Sequence, residues 1–144
     1  MADYFTNFSL IFCLANEAQR KEALEIAHRA VNVRDGDEPP AGFPKSLQDV
    51  IEDWCFETDP GHEPNELWLH SDTGGIEAVC AFVQHLLQKF NPTGCVTFEW
   101  SHDCSKPRTD AYGGGAAIIT AKEIKTLSTS EWLREQTQLQ PAAH

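Results

Sequence analysis

The chain has 144 residues with 41% hydrophobic content, four tryptophans and eight phenylalanines, which excludes an intrinsically disordered chain and fits one folded domain over residues 1–144. Its formal net charge of −11 at pH 7 excludes a chain that binds nucleic acid through overall positive charge. No run of about 18 apolar residues and no basic leader occurs, so we expect a cytoplasmic protein with no membrane contact. The five cysteines form no Cys-x-x-Cys pair, which favours reduced thiols over a disulfide framework.

The first third of the chain predicts a strand followed by two helices. Residues 5–14 are mostly aromatic and aliphatic and predict the strand. Asn16 is a favourable N-cap for a helix in which apolar residues recur at helical spacing and which ends near Gly36. Ser46 begins a short helix whose apolar stripe includes Trp54 and whose outer face carries acidic residues.

The remaining chain predicts a pair of strands, the clearest helix of the protein, two further strands and a last helix. The apolar residues of the clear helix recur at i, i+3, i+4 and i+7, which is the spacing of a helix with one buried face. In chain order, the sequence predicts strands over 55–58 and 66–71, a helix over 76–90 capped by Asp72 or Thr73, strands over 95–100 and 115–119, a helix opened by Ser128, and a disordered tail over 140–144.

The order of these elements predicts an α+β fold. Its first part follows the split β-α-β pattern of a ferredoxin-like fold. We therefore expect one antiparallel sheet with helices on one face, extended by one extra strand and a C-terminal helix.

The charge is concentrated in one segment of the chain. Residues 35–77 hold twelve acidic side chains and one basic side chain, Lys45, while the rest of the chain is neutral. A block of one sign creates a directional field that attracts cationic partners and repels nucleic acid, although such a block can also serve only to keep a protein in solution. We predict an acidic surface that binds the basic surface of a host nucleic-acid-binding protein or complex, without direct nucleic-acid binding. The predicted partner-binding residues are Asp49, Glu52, Asp53, Glu57, Asp59, Glu63 and Glu66.

A second group of chemically reactive residue types lies between positions 100 and 115. A cysteine and a nearby histidine suggest an alternative function, a small cysteine-dependent enzyme centred on Cys104. Two bases among aromatic residues suggest another, a module that binds single-stranded nucleic acid through Lys106 and Arg108. The glycines at 113–115 are not followed by the Lys-Ser/Thr of a P-loop and favour a bulge or a close backbone contact. The candidate residues of this segment are Trp100, His102, Cys104, Lys106, Arg108 and Tyr112.

Other short motifs do not predict catalysis or a bound metal. Asp72-Thr73-Gly74 matches the short motif of aspartic proteases, but an amphipathic helix follows it, so a helix cap is the better interpretation. The histidines and cysteines lack the spacing of a zinc finger or of H-E-x-x-H. We therefore predict no catalytic residue, no metal site and no cofactor.

The segment 67–133 resembles a set of small proteins encoded on phages and plasmids. The resemblance is carried by Phe98-Glu99-Trp100, by 104–108 (Cys-Ser-Lys-Pro-Arg), by 113–117 (Gly-Gly-Gly-Ala-Ala) and by Trp132-Leu133. It implies a mobile-element accessory protein, a class in which small acidic inhibitors of host defence are common. Together with the charge block, it predicts a non-enzymatic inhibitor that mimics DNA or RNA towards a defence system such as CRISPR.

Overall fold

The computed structural model describes residues 2–141, which form one six-stranded antiparallel sheet and four helices. The strands lie in the order β2-β3-β1-β4-β5-β6. They are β1 (Tyr4–Cys13), β2 (Glu57–Pro60), β3 (Glu66–Ser71), β4 (Cys95–Cys104), β5 (Gly113–Thr120) and β6 (Ile124–Ser128). The helices are α1 (Glu17–Arg34), α2 (Lys45–Gln48), α3 (Ile76–Phe90) and α4 (Thr129–Gln138), and a 3-10 turn covers Ile51–Asp53.

The ferredoxin-like prediction is confirmed by the order and direction of the strands. Strand β3 lies between β1 and β2, and β1 lies between β3 and β4, so two split β-α-β units interlock. Every neighbouring pair is antiparallel, with Phe8 opposite Ser71 on one side of β1 and Asn7 opposite Ser101 on the other. Strands β5 and β6 and helix α4 extend this arrangement beyond β4.

The sheet has one strand more than the sequence predicts. Strand β6 pairs only with β5, and its first four residues are all exposed. Because β6 has no buried face, it lacks the alternation of apolar and polar residues that marks a half-buried strand: Ile124 and Leu127 are three residues apart. The predicted extra strand is present as β5, and β6 is a further strand that the sequence does not predict.

The core lies between one face of the sheet and helices α1 and α3. Helix α1 contacts β2 and β3, and α3 contacts β5. On β1 the side chains of Phe8, Leu10 and Phe12 alternate into this core, opposite Leu67 and Leu69 of β3. Helix α1 presents three alanines and Ile26 to the core at the predicted spacing, and α3 runs over 76–90 as predicted. The opposite face of the sheet, called the open face, carries exposed side chains such as those of Ile11, Trp68 and Ile118.

Two of the four predicted helix caps are present and two are wrong. Helix α2 begins at Lys45 after Pro44, so Ser46 lies inside it rather than at its cap. Asn16 Oδ1 accepts a hydrogen bond from Gln19 N at 2.9 Å, and Ser128 Oγ accepts one from Glu131 N. Neither Asp72 nor Thr73 caps α3, because Gly74 and Gly75 with φ of 99° and 89° separate them from its first turn.

Several helices and strands begin or end at residues other than those predicted. Strand β2 begins at Glu57 and includes Pro60, which an edge strand tolerates because its outer N–H groups need no partner. Strand β4 continues past the predicted end to Cys104, because residues 101–104 pair with 4–7 of β1. The short helix of the prediction is divided into α2 and the 3-10 turn. Of the predicted disordered tail, Gln140 N still donates to Thr137 O, and residues 142–144 lie outside the described residues.

Across residues 2–141, every helix is too short or too polar to span a bilayer.

Trp54 joins the segment before β2 to helix α3. Its side chain is fully buried, and its ring centroid lies 4.9 Å from that of Phe56 and 5.3 Å from that of Phe82. Arg34 at the end of α1 donates a hydrogen bond to the Trp54 carbonyl oxygen. Within the described chain, the indole Nε1 of Trp54 is buried without a hydrogen-bond partner.

Replacing Trp54 tests how much of the stability this contact supplies. Trp54→Ala should lower the free energy of unfolding by about 3–5 kcal/mol, because it removes a large buried ring and leaves a cavity. Trp54→Phe is the matched control: it keeps aromatic contacts with Phe56 and Phe82 and removes the unpaired N–H, so it should cost far less. Urea unfolding measures both. Equal losses for Ala and Phe would contradict a packing role for the ring.

Candidate functional site

A concentrated acidic surface lies where the 3-10 turn meets the N-terminus of α3. Asp49, Glu52 and Asp53, all predicted as binding residues, line a depression of about 510 Å³ together with Glu77 of α3. Gly75 permits this contact, because a Cβ there would lie only 3.2 Å from the backbone oxygen of Asp53. Four carboxylates, from the end of α2, the 3-10 turn and α3, therefore surround one depression.

Asp53 also has a structural role that the sequence does not reveal. Its Oδ2 accepts a hydrogen bond from Ala78 N at 3.1 Å, in the first turn of α3. A carboxylate there also interacts favourably with the positive end of the helix dipole. Asp53, which lies 25 residues from Ala78 in sequence, thus supplies the cap predicted for Asp72 or Thr73. Asp49 forms an exposed ion pair with Lys45 at 2.8 Å, which contributes little to stability.

A second depression, of about 480 Å³, adjoins the first. Its lining includes Glu57, His70 and Asp72 together with Cys55. The two depressions are neighbours because Gly75 packs against both Asp53 and Cys55. We call the surface around both depressions the acidic end; its carboxylates are Asp49, Glu52, Asp53, Glu57, Asp72 and Glu77.

The bases near the acidic end are engaged with other groups. Arg34 pairs with Asp35 at 3.0 Å, and this hydrogen bond raises the pKa of Arg34 above its ordinary value, against the effect of burial. Lys45 is held by Asp49. In the described chain, the side chains of Glu52 and Glu57 make neither an ion pair nor a hydrogen bond, and both residues are exposed. The charge of Glu57 is one of the smaller causes of the raised pKa of Arg34.

The other three predicted binding residues lie elsewhere. Glu63 and Glu66 are at the turn that joins β2 to β3, about one strand length from Glu57 at roughly 3.3 Å per residue. Glu66 Oε1 accepts a hydrogen bond from Glu63 N, so Glu66 helps to close that turn. Asp59 lies between the two ends of β2. The seven predicted residues therefore do not form one continuous surface.

A polar and aromatic network on the open face of the sheet escaped the sequence-based prediction. His70 Nε2 and Asp59 Oδ2 are 2.7 Å apart across β2 and β3. The Trp68 and His70 rings stack with centroids 3.7 Å apart, and Trp68 Nε1 donates to Ser9 Oγ at 2.8 Å. The alternation along β3 indicates that Trp68 and His70 share a face, but their partners depend on the strand register.

Half of the segment 100–115 belongs to strands, and the other half is the loop between them. Trp100, His102 and Cys104 are on β4, and only residues 105–112 connect it to β5. His102 and Cys104 lie four and six residues after the buried Phe98, and this even spacing along a strand places all three on the helix side of the sheet. His102 Nδ1 lies 2.9 Å from Thr6 Oγ1, and this hydroxyl is the hydrogen-bond partner of its ring in the described chain.

The connecting loop and the glycines have structural explanations. The Tyr112 hydroxyl donates to the carbonyl oxygens of Cys104 and Lys106, both at 3.3 Å, and so closes the loop on itself. A Cβ on Gly115 would collide with the Trp100 indole ring, which is the close contact that the sequence predicts. Lys106 and Arg108 are exposed.

Within residues 2–141, no three His, Cys, Asp or Glu side chains are grouped so that they could hold a metal ion.

No protein-family model, no curated protein and no solved structure matches this chain. The ferredoxin-like fold is thus established by strand order and direction, and the function has to be inferred from geometry and charge.

The cap from Asp53 to α3 predicts a difference between two neighbouring acids. Asp53→Ala should lower the free energy of unfolding by about 1 kcal/mol, because Ala78 N loses its acceptor. Glu52→Ala removes the same charge without a hydrogen bond and should change stability by no more than about 0.5 kcal/mol. Urea unfolding of both variants checks this, and equal effects would show that charge, not capping, is responsible.

Burial predicts that Cys80 is the least reactive thiol. Burial, with smaller contributions from the charges of Glu77 and Asp53, raises the pKa of the Cys80 thiol to about 11. At about pH 8 roughly one Cys80 in a thousand is therefore a thiolate, and reactivity should rise about tenfold per pH unit up to that pKa. Cys13, Cys55 and Cys95 are exposed. A thiol-reactive disulfide reagent should leave one slow thiol, absent in Cys80→Ala. A single rate for all thiols would contradict the prediction.

Proposed function

We propose that this chain is a non-enzymatic binding protein whose acidic end binds the basic surface of a protein complex that handles nucleic acid. One observation carries the proposal: six carboxylates from separate parts of the chain meet around two adjoining depressions. They come from the α2 end and the 3-10 turn, from β2, from the residues after β3, and from α3.

The electrostatics of the acidic end support a cationic partner. No lysine or arginine lines either depression. Carboxylates accept charge-assisted hydrogen bonds from the same Arg and Lys side chains that hold phosphates. A partner surface built to hold a phosphate backbone therefore finds a comparable set of acceptors here.

The acidic end also has the rigidity that mimicry of a phosphate backbone requires. Burial of Trp54 and the hydrogen bond from Ala78 N to Asp53 fix the 3-10 turn to α3. The charges are thereby arranged before binding, which reduces the entropy lost on association. In its finer form, we propose a mobile-element inhibitor of a host defence system such as CRISPR, supported by the resemblance of segment 67–133 and by the acidic end.

The two alternative functions have weaker geometric support. A cysteine-dependent enzyme would need a base beside the Cys104 thiol, but the ring of His102 is hydrogen-bonded to the Thr6 hydroxyl instead. For a single-strand-binding module, Lys106 and Arg108 are the only bases of a short exposed loop, and Asp103 and Asp110 flank them. Neither arrangement brings together as many side chains of one chemical type as the six carboxylates of the acidic end.

Charge reversal tests the proposal best if Asp53 is left intact, because Asp53 also accepts the hydrogen bond that caps α3. The test variant is Glu52→Lys/Glu57→Lys/Glu77→Lys. The matched control is Glu17→Lys/Glu25→Lys/Asp110→Lys, with the same change in net charge away from the acidic end. Each is used as bait in a host lysate, with bound proteins identified by mass spectrometry at low and high salt.

The proposal predicts that wild type and the control triple retain a nucleic-acid-handling complex that the test triple loses. Retention should fall as salt rises, because exposed charges are screened over about 8–10 Å near physiological ionic strength. Equal retention by both triples, or insensitivity to salt, would contradict it. A gel shift with single-stranded DNA that Lys106→Ala/Arg108→Ala abolishes would instead favour the nucleic-acid-binding alternative.

A further inference from the structure

The two edge strands of the sheet differ in how they are protected. Strand β2 has four residues, carries the charges of Glu57 and Asp59, and includes Pro60, all of which discourage pairing with another chain. Strand β6 has one charged residue, Lys125, and its first four residues are exposed. Its outer edge pairs with no other strand of the described chain. Unpaired backbone groups along such an edge are a template for another strand.

An apolar surface lies directly beside this edge. Leu127 of β6 lines a depression of about 390 Å³ with Trp132 and Leu133 of α4. Leu127 also lines a neighbouring depression of about 330 Å³ on the open face, with Ile118 of β5. Trp132 and Leu133 are 50% and 57% exposed, and α4 buries none of its described residues. An amphipathic helix that leaves its apolar side chains in water is typical of an interaction surface.

We propose that β6 and α4 form the interface of a homodimer. Strand β6 pairs antiparallel with β6 of a second copy and extends the sheet across the two chains. The exposed side chains of Leu127, Trp132 and Leu133 from the two copies pack together beside the paired strands.

The distribution of charge favours a second copy of this chain as the partner at the surface formed by β6 and α4. From residue 95 onward the chain has six acidic and five basic side chains, so β6 and α4 belong to a nearly neutral region. The acidic end adjoins the β2 edge, and five strand spacings of about 4.8 Å, roughly 24 Å in all, separate the β2 and β6 edges. That distance exceeds the screening length of about 8 Å at physiological ionic strength. Two copies can thus meet at β6 without strong repulsion, whereas contact through the acidic ends would be repulsive.

Size and symmetry are also consistent with a closed dimer. A standard interface uses about 20–30 residues per partner. The five residues of β6, the ten of α4 and the open-face residues of β4 and β5 beside them form a surface of that order. Pairing of β6 with itself is two-fold symmetric and stops at two copies, while the protected β2 edge opposes head-to-tail growth.

Sedimentation equilibrium over a wide range of protein concentration tests the dimer. Wild type should approach twice the chain mass of 16.1 kDa. Leu127→Glu/Trp132→Glu should halve that mass, because it places four carboxylates in the paired interface. The matched control, Tyr4→Glu/Ile11→Glu, changes two comparably exposed apolar residues on β1 and should remain dimeric.

Amide hydrogen exchange locates the interface independently of any variant. In wild type, exchange over 124–128 should slow as protein concentration rises. A monomeric wild type at every concentration, a double variant as dimeric as wild type, or a dimer without protection of β6 would each overturn the proposal. The Glu52→Lys/Glu57→Lys/Glu77→Lys variant should still dimerise, so loss of partner binding and loss of the dimer can be told apart.

Discussion

The burial of Trp54 between Phe56 and Phe82 holds the acidic end in place. It anchors the 3-10 turn and the start of β2 to α3, which brings carboxylates from separate parts of the chain to one surface. The hydrogen bond from Ala78 N to Asp53 adds a second connection between the same elements. Without these contacts the acidic residues would lie on an unanchored connection, and their mutual repulsion would spread them apart.

The energetic cost of the clustered carboxylates is small beside that of the core. Exposed charge pairs interact by no more than about 1 kcal/mol, while burying one large apolar side chain contributes about 1.5–3 kcal/mol. The core includes fully buried Trp54, Phe82, Leu67 and Leu69. The fold can therefore hold several uncompensated charges at one end, and the proposed cationic partner would relieve their repulsion.

The two edges of the sheet separate two kinds of surface. The β2 edge is short, charged and adjacent to the acidic end, whereas the β6 edge is nearly neutral and lies beside Leu127, Trp132 and Leu133. Because they are opposite edges of a six-stranded sheet, one can bind a basic partner while the other pairs with a second copy. A two-fold dimer would present two acidic ends on one particle, which would strengthen binding to a partner with repeated basic sites.

Features that depend on neighbouring residues could be read from the sequence. The register of α3, the caps Asn16 and Ser128, and the order of elements that indicates a ferredoxin-like sheet all follow from local spacing and turn chemistry. Only the tertiary structure decided which distant residues meet: Asp53 with α3, Glu77 with the 3-10 turn, His102 with Thr6. The tertiary structure also decided that the predicted acidic residues are divided between the two ends of β2. It decided that residues 124–128 form β6, because a strand with both faces exposed lacks the usual alternation of apolar and polar residues. The physical reason is that a helix period or a cap involves residues a few positions apart, whereas these contacts depend on strand register and on packing between elements that the local pattern does not specify.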